Sequence, residues 1–591
     1  MELQQRNRLI IVLGLIGMLT AVILVRLVMF QIIEAEEWGN QNSHQYTQQS
    51  NPQRGNIVDR NGNILASNGF DYQINVQVQQ PVTPARAEHL FGLAGELALI
   101  LNQDGDGLDV TAFEIREQLN MTRTNVLLPY RLSHDQAIAV DALTTREVDP
   151  YFGVVTTELP RRIYPQDDLM CHALGYTSLA SQYSEYAGTN GLEEKFNIEM
   201  AGQARSSQAH ISPLIQKDTA IAIDGYDLEL TIDRTIQHTV ETHLANSMSY
   251  YGAHSGTVIV MNPRTGAILA MANLPCYSPF EYYESANVKQ PESKNIPIFA
   301  NPSISMPYEP GSVMKLVTMA IALDSETVTP QSTYLDEGVL VIDGNSIYNS
   351  SRGSYGTMAM RDIINYSLNI GVSKLALGVG PETYYTYMQR FGFGQRTGID
   401  LENESTGRMQ FPGDELWTEV VLATNSFGQG VTTTPLQMIS AIAAIANDGV
   451  LMRPYIVERI MNGNEVVSDP EPFVQSQAIS AATAHEVRQM AIYAINNQIN
   501  VASIPGYTVA GKTGTSQIPE EGGFYHPTET IASFVGWLPA DDPELVILYK
   551  LDRPTRSEWG SETAAPAFAD LASQLVVLLD IPPDSVRLAQ K

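Results

Sequence analysis

The stretch Gly256-Thr257-Val258-Ile259-Val260-Met261-Asn262-Pro263-Arg264-Thr265-Gly266-Ala267-Ile268-Leu269-Ala270-Met271 decides the fold. Two apolar runs flank a polar, Pro- and Gly-bearing centre, which predicts strand, turn, strand and so the first hairpin of a sheet. Just upstream, residues 227–233 alternate like a strand and residues 234–248 carry a helical pattern. Far downstream, residues 509–515, 531–537 and 545–551 predict an antiparallel meander. Helical patterns at 313–323, 358–377 and 435–447 lie between the two sets of strands. Helices inserted between the outer strands of one antiparallel sheet define an α+β domain, placed here at 226–591.

Working back from that domain, residues 31–225 mix short alternating segments (72–78) with amphipathic helical ones (85–101), which end in a polar loop at 102–107. No catalytic constellation stands out there, so the region reads as a mixed scaffold or pedestal. Asn61-Gly62 between Arg54-Gly55-Asn56-Ile57-Val58-Asp59-Arg60 and Asn63-Ile64-Leu65-Ala66 predicts a hairpin with a type I′ turn. Residues 9–25 carry no charge, and Leu27-Val28-Met29-Phe30 continue the run after Arg26. With Arg26 snorkelling, residues 9–30 reach the ~20 residues a membrane span needs. No cleavage site follows, so an uncleaved anchor is expected. Arg6 and Arg8 precede it and Glu34, Glu36 and Glu37 follow, which puts residues 1–8 in the cytoplasm and the rest outside.

Composition excludes several classes. Against 35 Lys+Arg stand 65 Asp+Glu, a net charge of −30 without a basic stripe, so no nucleic-acid partner is expected. Two cysteines, Cys171 and Cys276, cannot form a disulfide framework; buried free thiols are expected, with a bridge as the alternative. The ten histidines form no ligand spacing, so no metal and no cofactor are expected.

Three short motifs carry chemistry. Ser312-Val313-Met314-Lys315 follows Tyr308-Glu309-Pro310-Gly311 and opens an apolar helix, so Ser312 and Lys315 share one helical face. A serine hydroxyl needs a proton acceptor to become a nucleophile, and a lysine kept neutral by burial and nearby cations supplies one. Ser367-Leu368-Asn369 sits at a bend after a helical pattern; Ser367 is a candidate proton relay and Asn369 a candidate holder of a substrate amide. Ser285-Ala286-Asn287 and Ser293-Lys294-Asn295 match the same weak pattern in a polar loop. Gly511-Lys512-Thr513-Gly514-Thr515 lies on a predicted strand. There Lys512 would anchor a carboxylate, Thr513 and Thr515 would add hydrogen bonds, and Gly514 would let an extended substrate approach the backbone. Arg264-Thr265-Gly266 and Arg396-Thr397-Gly398 are look-alikes, the first explained as a turn.

Singly each motif favours a structural reading, but together and in this order they suit one active site. The chain resembles the class B penicillin-binding proteins. The likeness extends to Arg26-Leu27 with Gln31, the Arg54-Gly55/Asp59-Arg60-Asn61-Gly62 hairpin, Arg162-Ile163-Tyr164-Pro165, Gly191-Leu192-Glu193 and Leu230-Thr231-Ile232-Asp233. It continues through Ser426-Phe427-Gly428-Gln429-Gly430 and Thr434-Pro435-Leu436-Gln437.

The resemblance implies a serine β-lactamase-like transpeptidase domain on a dimerisation-type pedestal. Ser312 would attack the penultimate D-alanine of a peptidoglycan stem peptide and expel the last one, and an amine from a second stem would resolve the acyl-enzyme. Backbone N–H groups of Ser312 and Thr515 would form the oxyanion hole. Further implied are acylation by β-lactams, and a membrane glycan polymerase of the shape, elongation, division and sporulation family as partner, with a lean toward division. A carboxypeptidase or other hydrolase with the same serine is the nearest rival; a sensor or idle scaffold is the non-enzymatic one.

Overall fold

The computed structural model describes residues 2–29, 46–50, 52–78, 82–103, 110–119, 124–146, 152–179, 186–203, 205–209, 222–279, 298–519 and 524–590. The chain divides into two units, Met1–Gln53 with Gly202–Gly225, and Arg54–Ala201 with Tyr226–Lys591. In the first, helix α1 spans Glu2–Val28, and the strand Tyr46–Ser50 pairs antiparallel with Arg205–Ala209. Of the expected 9–30 span, residues 12–29 have described side chains and all are exposed. Among the described residues no helix is long and apolar enough to cross a membrane. Phe30, Gln31, Glu34, Glu36 and Glu37 lie outside them, as do residues 104–107 and the Ser285 and Ser293 look-alikes.

The second unit opens with β1 (Ile57–Val58) and β2 (Ile64–Val78), followed by α2 (Pro84–Leu101), β3 (Asn125–Leu132), α3 (His134–Arg146) and β4 (Phe152–Ile163). The β1–β2 connection is not a type I′ turn, because only Gly62 has a positive φ (80°). Asp59 organises it instead: its buried carboxylate accepts from the N–H groups of Asn61 (2.9 Å), Asn63 (2.8 Å) and Arg234 (3.0 Å). Burial pushes this carboxyl up, but those bonds and the Asn63 side chain outweigh it and hold it below its ordinary range. The Arg54, Arg162 and Glu193 motifs also meet. The two arginine Nε atoms donate to the two oxygens of fully buried Glu193 at 2.6 and 2.7 Å, a geometry that satisfies a charge no water reaches.

The strand β5 (Asp227–Leu230) does not found the sheet of the following domain, as its position suggests. It lies between β1 and Val457–Asn462, in a seven-stranded sheet whose path runs Glu465–Ser468, Val457–Asn462, β5, β1, β2, β3, with β4 pairing β2. After α4 (Arg234–Tyr251), N-capped by Asp233, come β6 (Ser255–Met261) and β7 (Ile268–Leu274), the hairpin expected from the sequence, with Asn262 Oδ1 accepting from Arg264 N in the turn. Helices α5 (Met314–Asp324), α6 (Met360–Asn365), α7 (Asn369–Val379), α8 (Pro435–Ala446) and α9 (Ala481–Asn497) follow. The chain then forms β8 (Ala510–Pro519), β9 (Tyr525–Leu538) and β10 (Leu545–Asp552) before α10 (Ala564–Leu578). The central sheet is antiparallel with order β7-β6-β10-β9-β8.

Both faces of this sheet are covered, so its strands are apolar throughout rather than alternating. Val258, Val260, Phe534 and Tyr549 pack with Ile236, Val240 and Leu244 of α4 and Phe568 and Leu571 of α10. Ile259, Met261, Val535 and Leu548 belong to the larger core with α5, α8 and α9. Every residue from Met314 to Leu323 is buried, which fits a helix apolar all round. The Thr434-Pro435-Leu436-Gln437 motif is a capping box: Gln437 N donates to Thr434 Oγ1 (3.1 Å), and Thr434 N to Gln437 Oε1 (2.9 Å).

Cys171 and Cys276 are bonded to each other, which corrects the expectation of free thiols. The partners are 105 residues apart, and packing of Tyr176, Tyr277 and Phe299 around them makes the juxtaposition. His172 completes a cluster whose ligand atoms lie within 4.8 Å of one another. The bridge commits both sulfurs and leaves one imidazole, pushed down to about 4 by burial.

Candidate active site

Ser312 sits in a short 3-10 turn, Gly311–Val313, that leads directly into α5. Lys315, one turn on, is fully buried. The predicted helix 358–377 is broken into α6 and α7, and Ser367 occupies the break with φ 55°. That left-handed conformation costs a non-glycine residue about 1–2 kcal/mol, and it aims the Ser367 hydroxyl at that of Ser312. Ser367 Oγ lies 3.0 Å from Ser312 Oγ and 3.0 Å from Lys315 Nζ. Lys315 Nζ also donates to Ser367 O (2.6 Å) and Asn369 Oδ1 (2.7 Å).

No hydrogen bond joins Lys315 directly to Ser312 among the described residues; Ser367 Oγ stands between them. Three acceptors around one amine suit the ammonium form. Burial first, then the Lys512 charge, press the other way and push the amine well below its ordinary range. Once neutral, Lys315 keeps two N–H bonds and turns its lone pair to the Ser367 hydroxyl. The arrangement would then let Ser312 lose its proton to Ser367 as Ser367 passes its own to Lys315. Asn369, expected to hold a substrate amide, has both ends engaged within the protein: Oδ1 takes Lys315, and Nδ2 donates to Tyr348 O at 2.9 Å.

The third motif lies on β8, an edge of the central sheet. Lys512 is buried and donates to Thr513 Oγ1 at 3.2 Å; burial pushes it down to about 7. Thr515 Oγ1 accepts from Gly560 N at 3.0 Å, a partner no sequence signal announced. Gly514 also has a packing duty. A Cβ there would stand 2.3 Å from Ser533 Oγ, 2.8 Å from Pro310 O and 3.1 Å from Val313 Cγ2. Its hydrogen therefore faces the serine turn, and the glycine lets β8 and that turn touch. A Cβ on Gly311 (φ 57°) would likewise meet Thr515 O at 2.8 Å. Gly514→Ala is expected to cost about 1–3 kcal/mol by overpacking and to slow acylation more than it lowers the melting temperature, as thermal unfolding and penicillin acylation rates would record.

Glu309, three residues before Ser312, belongs to none of the three motifs. Its buried carboxylate accepts from Gly430 N (2.9 Å) and the Tyr525 hydroxyl (3.1 Å), fastening the serine turn to the Ser426–Gly430 motif and the start of β9. An acidic residue amid apolar neighbours was the available signal. The Arg396-Thr397-Gly398 look-alike is structural, with Thr397 N and Oγ1 both donating to Glu404 at 2.6 Å.

The "Penicillin binding protein transpeptidase domain" profile matches residues 256–573, which hold all three motifs, and the "Penicillin-binding Protein dimerisation domain" profile matches residues 49–230. The chain belongs to the class B penicillin-binding proteins. This penicillin-binding protein is 30% identical over 560 residues to "Stage V sporulation protein D" of Bacillus subtilis, covering 91% of this chain and 80% of that protein. It is 28% identical to "Peptidoglycan D,D-transpeptidase FtsI" of Escherichia coli over 74% of this chain and 71% of that one. Its fold matches penicillin binding protein 3 of Mycobacterium tuberculosis complexed with aztreonam at a TM-score of 0.67 and 26% identity, over 90% of this chain and 98% of that one.

Proposed function

We propose that this penicillin-binding protein is a serine peptidoglycan D,D-transpeptidase that cross-links stem peptides in cell-wall synthesis and is acylated by penicillins. The observation that carries the reading is the hydrogen-bonded line from Ser312 through Ser367 to buried Lys315, beside the Lys512–Thr515 strand. Ser312 is the nucleophile, Lys315 the base, Ser367 the relay and Asn369 the residue that positions Lys315. Lys512, Thr513 and Thr515 take the donor carboxylate, with Gly514 holding the strand against the serine turn. Backbone N–H groups of Ser312 and Thr515 bind the oxyanion, each donor worth about 2.7–4 kcal/mol of barrier; the contact of Gly311 with Thr515 supports that pairing. The relatives carry both sporulation and FtsI names, and the reading they support is cross-linking in cell-wall synthesis.

In this reading residues 31–225 form the pedestal and 226–591 the catalytic domain; profile edges at 230 and 256 support a division near there. Residues 9–30 are the single membrane anchor, with residues 1–8 cytoplasmic and the catalytic domain outside. A helix of 22 residues spans about 33 Å, the thickness of a bilayer core, and the exposed Leu15, Leu19, Val22 and Val25 favour lipid as its surroundings. The pedestal and anchor are the surfaces proposed for the membrane glycan polymerase.

The test is a full-chain reaction with a D-alanyl-D-alanine donor and an amine acceptor. Equal amounts of released D-alanine and cross-linked product are expected; release without cross-linking would mean a carboxypeptidase. Lys512→Ala is expected to raise the donor KM about ten- to a hundredfold, the worth of one charged hydrogen bond, with a smaller change in kcat.

A further inference from the structure

The nucleophile is flanked on two sides. The β8 strand with Lys512 forms one. The other is the Ser367–Asn369 bend, which is tied to a lobe built from two small antiparallel strand pairs, Thr333–Asp336 with Gly356–Ala359 and Val339–Ile342 with Asn345–Tyr348. Asn369 Nδ2 holds the Tyr348 carbonyl, and Ile370 N donates to Asn349 Oδ1 at 3.2 Å, so the end of this lobe is fixed to the catalytic bend.

Three large side chains of that region are exposed. Tyr348 is 45% exposed, and Tyr366, the residue before Ser367, is 44% exposed. Arg352 is exposed, and its guanidinium stands 5.5 Å from the Tyr348 ring centroid. Tyr355 braces Tyr366, with ring centroids 5.7 Å apart. Among the described residues no carboxylate pairs with Arg352, although the chain carries 65 acidic residues. Its φ is 54°, a left-handed conformation that glycine adopts more cheaply. An unpaired guanidinium held on a left-handed backbone, against the exposed Tyr348 ring and in the lobe whose Tyr348 carbonyl is bonded to Asn369, has the features of a carboxylate-binding subsite.

We propose that Arg352, with Tyr348 and Tyr366, forms the acceptor subsite, in which Arg352 binds a carboxylate of the incoming stem peptide next to its attacking amine. This rests on the transpeptidase reading above. The donor occupies the β8 side, where Lys512 takes its carboxylate, so the second peptide enters along the Ser367 side. In a protein of charge −30, an anionic acceptor needs a local cation to settle near the acyl-enzyme. The acceptor nitrogen forms an amide bond to the acyl carbon, and the ester bond to Ser312 Oγ breaks. The amine's proton returns to Ser312 Oγ by way of Ser367 and Lys315. Arg352 takes no part in that transfer; it raises the occupancy of the acceptor.

The test uses the full chain in detergent, with a D-alanyl thioester donor and two acceptors, D-alanine and D-alaninamide, which differ only by the carboxylate charge. Arg352→Ala is expected to lower aminolysis by D-alanine about tenfold relative to hydrolysis, with Arg352→Lys recovering part of the loss. Aminolysis by D-alaninamide and the rate of benzylpenicillin acylation stay within about twofold of wild type. Equal loss with both acceptors, or no loss with either, overturns the proposal. A matching fall in penicillin acylation also overturns it, because Arg352 then serves the donor. A wild-type protein that penicillin does not acylate would instead defeat the transpeptidase reading, an outcome that the penicillin arm isolates.

Discussion

Ser312→Ala is expected to abolish covalent trapping of benzylpenicillin and to cut turnover of a D-alanyl-D-alanine donor by about six orders of magnitude, the scale seen when a serine nucleophile is removed. The hydroxyl stands at the start of a helix whose positive end favours the developing alkoxide. Alanine fits the same turn, so folding survives and the loss is chemical. Intact-mass analysis over time reads the result: a stable adduct maps to Ser312 in the wild type, and none forms in the variant. An adduct that clears within seconds would identify a hydrolase. A folded wild-type protein with no adduct would favour an idle scaffold.

Lys315→Ala is expected to slow acylation by about two to four orders of magnitude, the usual contribution of a positioned general base. The sign of the pH dependence follows from the two lysines. Only neutral Lys315 accepts a proton. Burial and the Lys512 charge move its titration well below the ordinary lysine range, so acylation rises with pH through that lowered value. Lys512 must stay charged to hold the donor carboxylate, and burial places its own titration at about 7, so acylation falls again above it. A bell-shaped profile of acylation kcat/KM is the expected result. Lys512→Ala removes the alkaline limb and, by removing a positive neighbour, moves the acid limb to higher pH. A Lys315→Ala protein that acylates within tenfold of wild type would place the base elsewhere.

Much of this site was legible because its motifs obey local rules. The i, i+3 spacing put Ser312 and Lys315 on one helical face, and alternation put Lys512 on a strand. The contacts of Gly514 and Asn369 within the protein were not legible, for one physical reason. Which way a strand hydrogen or an amide points depends on what packs against it, and Pro310, Val313 and Tyr348 are remote in sequence from the residues they touch. The same holds for Cys171 and Cys276, and for the Asn61-Gly62 turn, where the Asp59 carboxylate overrides the dipeptide's own preference.

By itself the sequence determined the α+β class, the hairpin at 256–271, the closing meander and the apolar helix after Ser312, while the union of three motifs in one site came from the family resemblance. Hydrophobic period and turn chemistry are set by neighbours along the chain, so these features need no folded structure to be read. Only the tertiary structure decided that Ser367 stands between Ser312 and Lys315, that β5 joins a sheet shared by early and late segments, and that among the described residues no carboxylate pairs with Arg352. Such contacts close between residues tens to hundreds of positions apart, where register and packing of whole elements, not local periodicity, set which atoms meet.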